Sequence, residues 1–308
     1  MLKRLIVLIF LIALLVSGCA TNPVTKESNF ILFSEEQEIA MGKDYHPQIV
    51  KLYGEYDDKE LAAYVDRVGQ RVAAVTHRPN LDYTFTVLDS PIVNAFAVPG
   101  GYVYVTRGIL ENMNSEDELA GVLGHELGHI NARHSMQQMS QQYGMMGVLM
   151  GMQIFGKKED FEKWAPWVSA GAYLSLLNYG RDAEYQADKL GSEYSVAAGY
   201  SPRGNTDVLR MIRNLYDNEP SFVEELMATH PPPAARVDRA RNTQKELEAE
   251  VGRLAEKEDE YKNQLANMVV GPNEQHGQII GNAYLNKKYD CFIDYPSNYQ
   301  TYLGQPGY

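Results

Sequence analysis

Residues 121–135 read GVLGHELGHINARHS and hold three of the chain's seven histidines. His125 and His129 are four apart, so on a helix they share one face and can both present a ring nitrogen to a single ion about 2.0–2.1 Å away. Glu126 is rotated from them by about 100°. It sits beside such an ion without taking a ligand position, which leaves room for a water between metal and carboxylate. Two imidazole ligands with an adjacent carboxylate are the parts that metal-assisted hydrolysis needs. His134 follows His125 by nine residues and His129 by five. On a continuous helix it would project from nearly the opposite side, so a capping or surface role is expected for it.

A third ligand has to come from elsewhere in the chain. In YGRDAEYQADKLG, residues 179–191, Glu184 and Asp188 lie one turn apart on a predicted helix. A carboxylate ligand followed one turn later by an acid that can accept the free N–H of a ligating histidine fits a His₂Glu site. Solvated acidic helix faces give the same spacing. The pair gains its weight from the HExxH segment about 55 residues upstream.

These groups need elements to hold them. Ser115 and Glu118 are spaced as a capping box, which starts the histidine helix, and Leu119, Val122, Leu123, Leu127 and Ile130 supply its apolar positions. Ser34 and Gln37 repeat the capping spacing, and Leu61, Val65, Val68, Val72 and Val75 follow at steps of three and four. YTFTVLD (83–89) alternates as a strand, and AFAVPGGYVYVTRG (95–108) reads as two strands around a Pro99, Gly100, Gly101 turn. Helical pattern returns from Trp164 to Gly199. Between them, residues 136–156 hold six of the twelve methionines, from Met136 to Met152, mixed with Gly144, Gly147 and Gly151, which reads as a buried or irregularly packed helix. Residues 241–268 keep an amphipathic pattern compatible with one long helix, and the Tyr- and Asn-rich last thirty residues read as short strands. The fold class is mostly α with a small β-sheet (α+β).

The chain has 308 residues, of which 44% are hydrophobic and 22% charged, an ordinary globular balance. Its net charge of −12 excludes nucleic acid and anionic lipid headgroups as partners. Lys3 and Arg4 precede an uncharged apolar run, Leu5 to Val16, and then Ser17, Gly18 and Cys19. This order has the form of a leader peptide, and its end resembles the lipobox, in which the cysteine is lipidated and becomes the new N-terminus. The run is shorter than the roughly 20 residues that span a bilayer. Attachment to the membrane is therefore expected through lipid on Cys19. Cys291 is then the only remaining thiol, so no internal disulfide is expected.

Taken in order, NAFAVPGGYVYVTRGIL, GHELGHINARHS, RDAEYQADKLG and THPPPAAR resemble the M48 family of metallopeptidases, over about residues 34–240. The resemblance implies a minimal gluzincin-type catalytic domain and one zinc ion per chain held by His125, His129 and Glu184. It makes Glu126 the catalytic acid/base and Asp188 the acid behind a ligand. His230 and Arg236 fall on the family's histidine-proline and arginine positions, where either could donate to the oxyanion; in some relatives the histidine instead approaches the zinc and restrains activity. Asn94 and Ala95 match an edge-strand position where extended substrate adds through main-chain hydrogen bonds.

The expected organisation is a leader (1–18), a tether (19–33), a catalytic domain (34–240), a long amphipathic helix (241–270) and a short strand-rich tail (271–308). The expected function is a lipid-anchored endopeptidase acting on unfolded or misassembled polypeptides of the bacterial envelope, facing the periplasm from the outer membrane if the host is Gram-negative. The alternative is a chaperone-like or binding protein that assists outer-membrane protein assembly with latent proteolysis, using envelope assembly proteins as partners.

Overall fold

The computed structural model describes residues 19–143, 179–230, 234–252, 254, 258–271, 278–280, 283–286 and 291–294. The apolar leader, most of the methionine-rich segment and the start of the helix expected from Trp164 lie outside these residues.

The segment expected to be a tether folds against the domain. Strands β1 (Cys19–Thr21) and β2 (Ser28–Phe30) pair antiparallel. Between them the Asn22 carboxamide oxygen accepts the backbone N–H groups of Val24 and Thr25, and its Nδ2 donates to the Ala132 carbonyl at 3.1 Å. Instead of a tether, the segment is anchored: the buried Asn22 uses its polarity to close a turn and satisfy a carbonyl at the end of the histidine helix.

Helix α1 (Glu35–Tyr53) begins with the Ser34–Gln37 capping box fully formed. Helix α2 (Lys59–Ala73) starts at Asp58, whose carboxylate accepts from the backbone of Glu60 and Leu61. Its Leu61, Val65, Val68 and Val72 are buried as their spacing predicts, while Val75 lies beyond the helix end and is exposed. A three-stranded sheet follows in the order β3 (Thr84–Leu88), β5 (Tyr102–Thr106), β4 (Ala95–Val98). Strand β5 runs parallel to β3 and antiparallel to β4, with which it forms the hairpin through Gly100 and Gly101.

Helices α3 (Arg107–Asn112) and α4 (Glu116–Asn131) come next. The Ser115 hydroxyl accepts from the Glu118 backbone N–H, while the Glu118 carboxylate reaches the Asn114 N–H. Every residue of α4 is buried, because α2 and the sheet cover one side while α5 (Arg181–Ala197) and α6 (Gly204–Asn218) cover the other. Leu119, Leu123 and Leu127 join Val65, Val68 and Val105 in one apolar core. Residues 134–143 are again helical, with Met136 and Met139 buried.

A 3₁₀ turn (Pro220–Val223) and short helix α7 (Glu224–Thr229) lead to His230. The amphipathic pattern over 241–268 is divided. Helix α8 (Ala234–Val251) stops at Gly252, which adopts φ 76°, and α9 (Glu258–Gln264) resumes after it. The division lets Tyr261 turn back into the core, where its hydroxyl donates to the Leu110 carbonyl. Arg107 then donates to the Val269 and Gly271 carbonyls, and the Tyr56 hydroxyl accepts from the Val269 N–H. The short strands expected at the end form an antiparallel meander of β6 (Gln278–Ile280), β7 (Ala283–Asn286) and β8 (Cys291–Asp294).

Candidate metal centre

Glycines let the two site helices meet at backbone distance. A Cβ on Gly124 of α4 would stand 2.7 Å from the Gly191 carbonyl oxygen of α5, and one on Gly191 would stand 2.6 Å from the His125 nitrogen. Neither position tolerates a side chain, so α5 lies directly on the glycine face of α4, one residue round the helix from His125 and His129. The Ser195 hydroxyl of α5 donates to the Ala120 carbonyl of α4 at 2.8 Å and fixes the crossing. Glu184, two turns before Gly191, is thereby delivered to the histidines.

His125 Nε2 and His129 Nε2 face each other at 3.1 Å, and His129 Nε2 lies 3.2 Å from Glu184 Oε1. One ligand atom from each of His125, His129, Glu184 and His230 can be chosen so that all lie within 4.8 Å of one another, and all four residues are buried. His125 Nδ1 points at Asp188 Oδ1, a close but poorly aligned approach of 3.0 Å. With the proton placed on that outer nitrogen, the inner Nε2 is a lone pair facing a second imidazole. Two ring nitrogens and a carboxylate converging in a buried site fit a divalent cation of borderline softness, and the donor set suits zinc.

The surroundings set the charges. Burial acts most strongly on Glu184 and would raise its pKa, yet the His230 and Arg236 cations overcome it and hold the carboxyl well below its usual range. Asp188 behaves alike: burial opposes ionisation, but Arg236 and His125 bring its pKa down to about 2. Burial leaves His129 well below and His134 below the ordinary imidazole value. Arg236 donates from Nε and Nη2 to the two oxygens of Asp188, each at 2.8 Å, and its Nη1 pairs with Glu184 Oε2 at 2.7 Å.

Glu126 lines a cleft of about 410 Å³ with His125, His230 and a mainly apolar wall that includes Ala95, Val122, Leu209 and Leu226. Burial raises its carboxyl pKa, which moves a carboxylate toward proton exchange near neutral pH. His230 places Nδ1 3.0 Å from Glu184 Oε1 and Nε2 3.8 Å from Glu126 Oε1. Burial pulls its pKa down, but Glu184 and then Glu126 more than reverse this, so the net direction is up.

Residues 59–244 match the profile of Peptidase family M48. The chain belongs to that family. It is 27% identical over 217 residues to the beta-barrel assembly-enhancing protease of Yersinia pestis, covering 68% of this chain and 44% of that protein. It is 36% identical over 124 residues to the mitochondrial metalloendopeptidase OMA1 of Schizosaccharomyces pombe, covering 38% and 36%. Against the human mitochondrial metalloendopeptidase OMA1 the figures are 23% over 236 residues, 70% and 44%. The aligned regions thus span less than half the length of these relatives.

Within this M48 domain the structure brings His125, Glu126, His129, Glu184, Asp188, His230 and Arg236 together, but it seats several differently from expectation. The Arg236 guanidinium lies on Asp188 and Glu184, where it neutralises and orients carboxylates, rather than reaching toward an oxyanion. Asn94 is buried: its main chain is bonded to Thr106 and its Nδ2 donates to Glu225 Oε1 at 2.9 Å, leaving only the adjacent Ala95 on the cleft wall.

His134 is neither a cap nor on the surface. Helix α4 ends before it, and Arg133 at φ 56° reverses the chain so that His134 packs behind His129, Nδ1 to Nδ1 at 2.9 Å. Two further residues had no signal in the sequence. The Tyr179 ring stacks on His129 with centroids 4.0 Å apart, and Gln186 accepts from His134.

Proposed function

We propose that this M48 domain is a zinc-dependent endopeptidase in which His125, His129 and Glu184 hold the ion and Glu126 moves the proton. The convergence of those three donors beside Glu126, which with His125 lines a mainly apolar cleft, carries this reading. A zinc ion with an open position supplies Lewis acidity to a water and to the scissile carbonyl. Glu126 accepts the proton of the attacking water and returns it to the departing amine nitrogen. The raised affinity of its carboxyl for protons suits both halves of that exchange. His230, the cation nearest Glu126 on the cleft side, donates to the oxyanion, while Asp188 and Arg236 keep His125 and Glu184 oriented. Ala95, at the head of strand β4, contributes main chain to an extended substrate.

The proposed substrates are unfolded or misassembled envelope polypeptides. The names of the bacterial relatives support a place in β-barrel assembly. The sequence from Lys3 to Cys19 supports lipid anchoring through Cys19, at the outer membrane facing the periplasm in a Gram-negative host. The deciding experiment compares the mature chain with its Glu126→Gln form on an unfolded protein such as casein, with bound metal measured in both. The expected result is equal zinc and a rate lowered by roughly 10²–10⁴-fold; equal cleavage by the two forms overturns the reading.

A further inference from the structure

Two side chains from separate segments line up behind His129, and hydrolysis as derived above uses neither. His134 Nδ1 lies 2.9 Å from His129 Nδ1, and His134 Nε2 lies 2.9 Å from Gln186 Oε1. We propose that Gln186 and His134 form an uncharged relay that locks His129 into the Nδ1–H tautomer, with the bare Nε2 aimed at the metal position. They are positioning residues for a metal-binding histidine, and the inference rests on the metal reading of His125, His129 and Glu184.

Each step of the relay is forced by the one before it. An amide oxygen only accepts, so His134 must carry its proton on Nε2. A neutral imidazole has a single N–H, so His134 Nδ1 is then a lone pair and can only accept. Its partner His129 Nδ1 must donate, which leaves His129 Nε2 without a proton, 3.1 Å from His125 Nε2 and 3.2 Å from Glu184 Oε1. Turning the Gln186 amide over would reverse every step and leave a proton on His129 Nε2, where it blocks ligation. An imidazolium at His134 would do the same. One orientation alone permits metal binding.

The surrounding fold holds this arrangement from several sides. Glu38 accepts from Arg133 Nε at 2.8 Å and from Arg78 Nη1 at 2.8 Å, and Arg78 also donates to the Ile130 carbonyl. These bonds pin the left-handed Arg133 turn that folds His134 back. Gln186 arrives independently, on α5 between Glu184 and Asp188.

The two metal-facing histidines are therefore backed unequally. His125 faces a carboxylate already paired with Arg236, whereas His129 faces a neutral ring. A ligating histidine ordinarily gives its outer N–H to a carboxylate, a backbone carbonyl or water. Here a third carboxylate beside Glu184 and Asp188 would add a buried charge, while the Arg236 nitrogens are already on those two carboxylates. A neutral relay fixes the ring without that charge.

The test uses the zinc-loaded mature chain with ¹⁵N-labelled histidine. Nuclear magnetic resonance should find His134 as the Nε2–H tautomer and His129 protonated on Nδ1. Equilibrium competition with a chelator should show zinc affinity lowered about tenfold or more in His134→Phe and in Gln186→Met. His134 protonated on Nδ1 in the zinc-loaded protein overturns the relay, as does wild-type affinity in both His134→Phe and Gln186→Met. If those variants do not fold, the tautomer of the unmodified protein decides alone. Failure of the unmodified chain to bind zinc overturns the metal reading and the relay together, whereas bound zinc with the opposite tautomer removes only the relay.

Discussion

Replacing Arg236 with methionine tests whether this residue serves the carboxylates or the reaction. The side chain is buried, and three of its nitrogens are on Asp188 and Glu184 at 2.7–2.8 Å. Methionine keeps much of the apolar stem and removes the charge, leaving two buried carboxylates without their shared cation. At an effective dielectric of 20, one pair of unit charges 4 Å apart interacts by about 4 kcal/mol, and breaking a buried pair costs about 3–5 kcal/mol net. For a domain of this size, 1 kcal/mol moves the melting temperature by about 2–4 °C, so metal-free Arg236→Met should melt about 6–20 °C below the parent. Added zinc should recover part of the loss, because the ion brings positive charge back to Glu184. An oxyanion donor behaves differently: its removal lowers kcat by about 10²–10³-fold and leaves stability nearly unchanged. Scanning calorimetry of the metal-free and zinc-loaded forms, with kcat measured in parallel, separates the two. A metal-free drop below about 3 °C, or under about 1 kcal/mol, together with a large loss in kcat refutes the carboxylate role.

The same contacts set an acid dependence. Asp188 is depressed from an ordinary 3.8 to about 2, so its contribution of about 2 kcal/mol is present above pH 4 and is lost as pH falls from 4 through 2; urea midpoints of the metal-free protein should fall across that window, and Arg236→Met should show a flatter fall. Gly191→Ala would set a Cβ 2.6 Å from the His125 nitrogen and should cost about 1–3 kcal/mol by pushing the helices apart, with weaker zinc binding in a chelator competition; unchanged zinc affinity would show that the backbone contact does not set the site. Asn22→Leu removes the donor to the Ala132 carbonyl and the turn at Val24 and Thr25, and chemical denaturation should read a loss of about 1–3 kcal/mol, where a free tether would give none.

How much of the site can be read from sequence depends on whether a residue is placed by helical period or by an end. His125, Glu126 and His129 lie inside one helix, so spacing alone puts them on their faces, and Glu184 and Asp188 follow the same rule on α5. The strands and both capped helix starts were legible for the same local reasons. His134 was misplaced because extrapolating the period assumes that the helix continues. A left-handed arginine ends it, and that conformation is uncommon for a residue with a Cβ. What holds Arg133 there is Glu38, 95 positions earlier, a contact no local pattern encodes. Asn22, Gln186 and Tyr179 were missed likewise, since each acts through a partner far away in the chain or on a ring face that composition does not reveal. The groups that would touch the metal are thus each aimed by the period of their own helix, while what joins the two helices and fixes tautomer, charge and angle comes from chain reversals and helix crossings. Substitutions at Glu38 or Gly191, neither of which touches the metal position, should for that reason disturb its chemistry, by moving the His134 turn in one case and the Glu184 helix in the other.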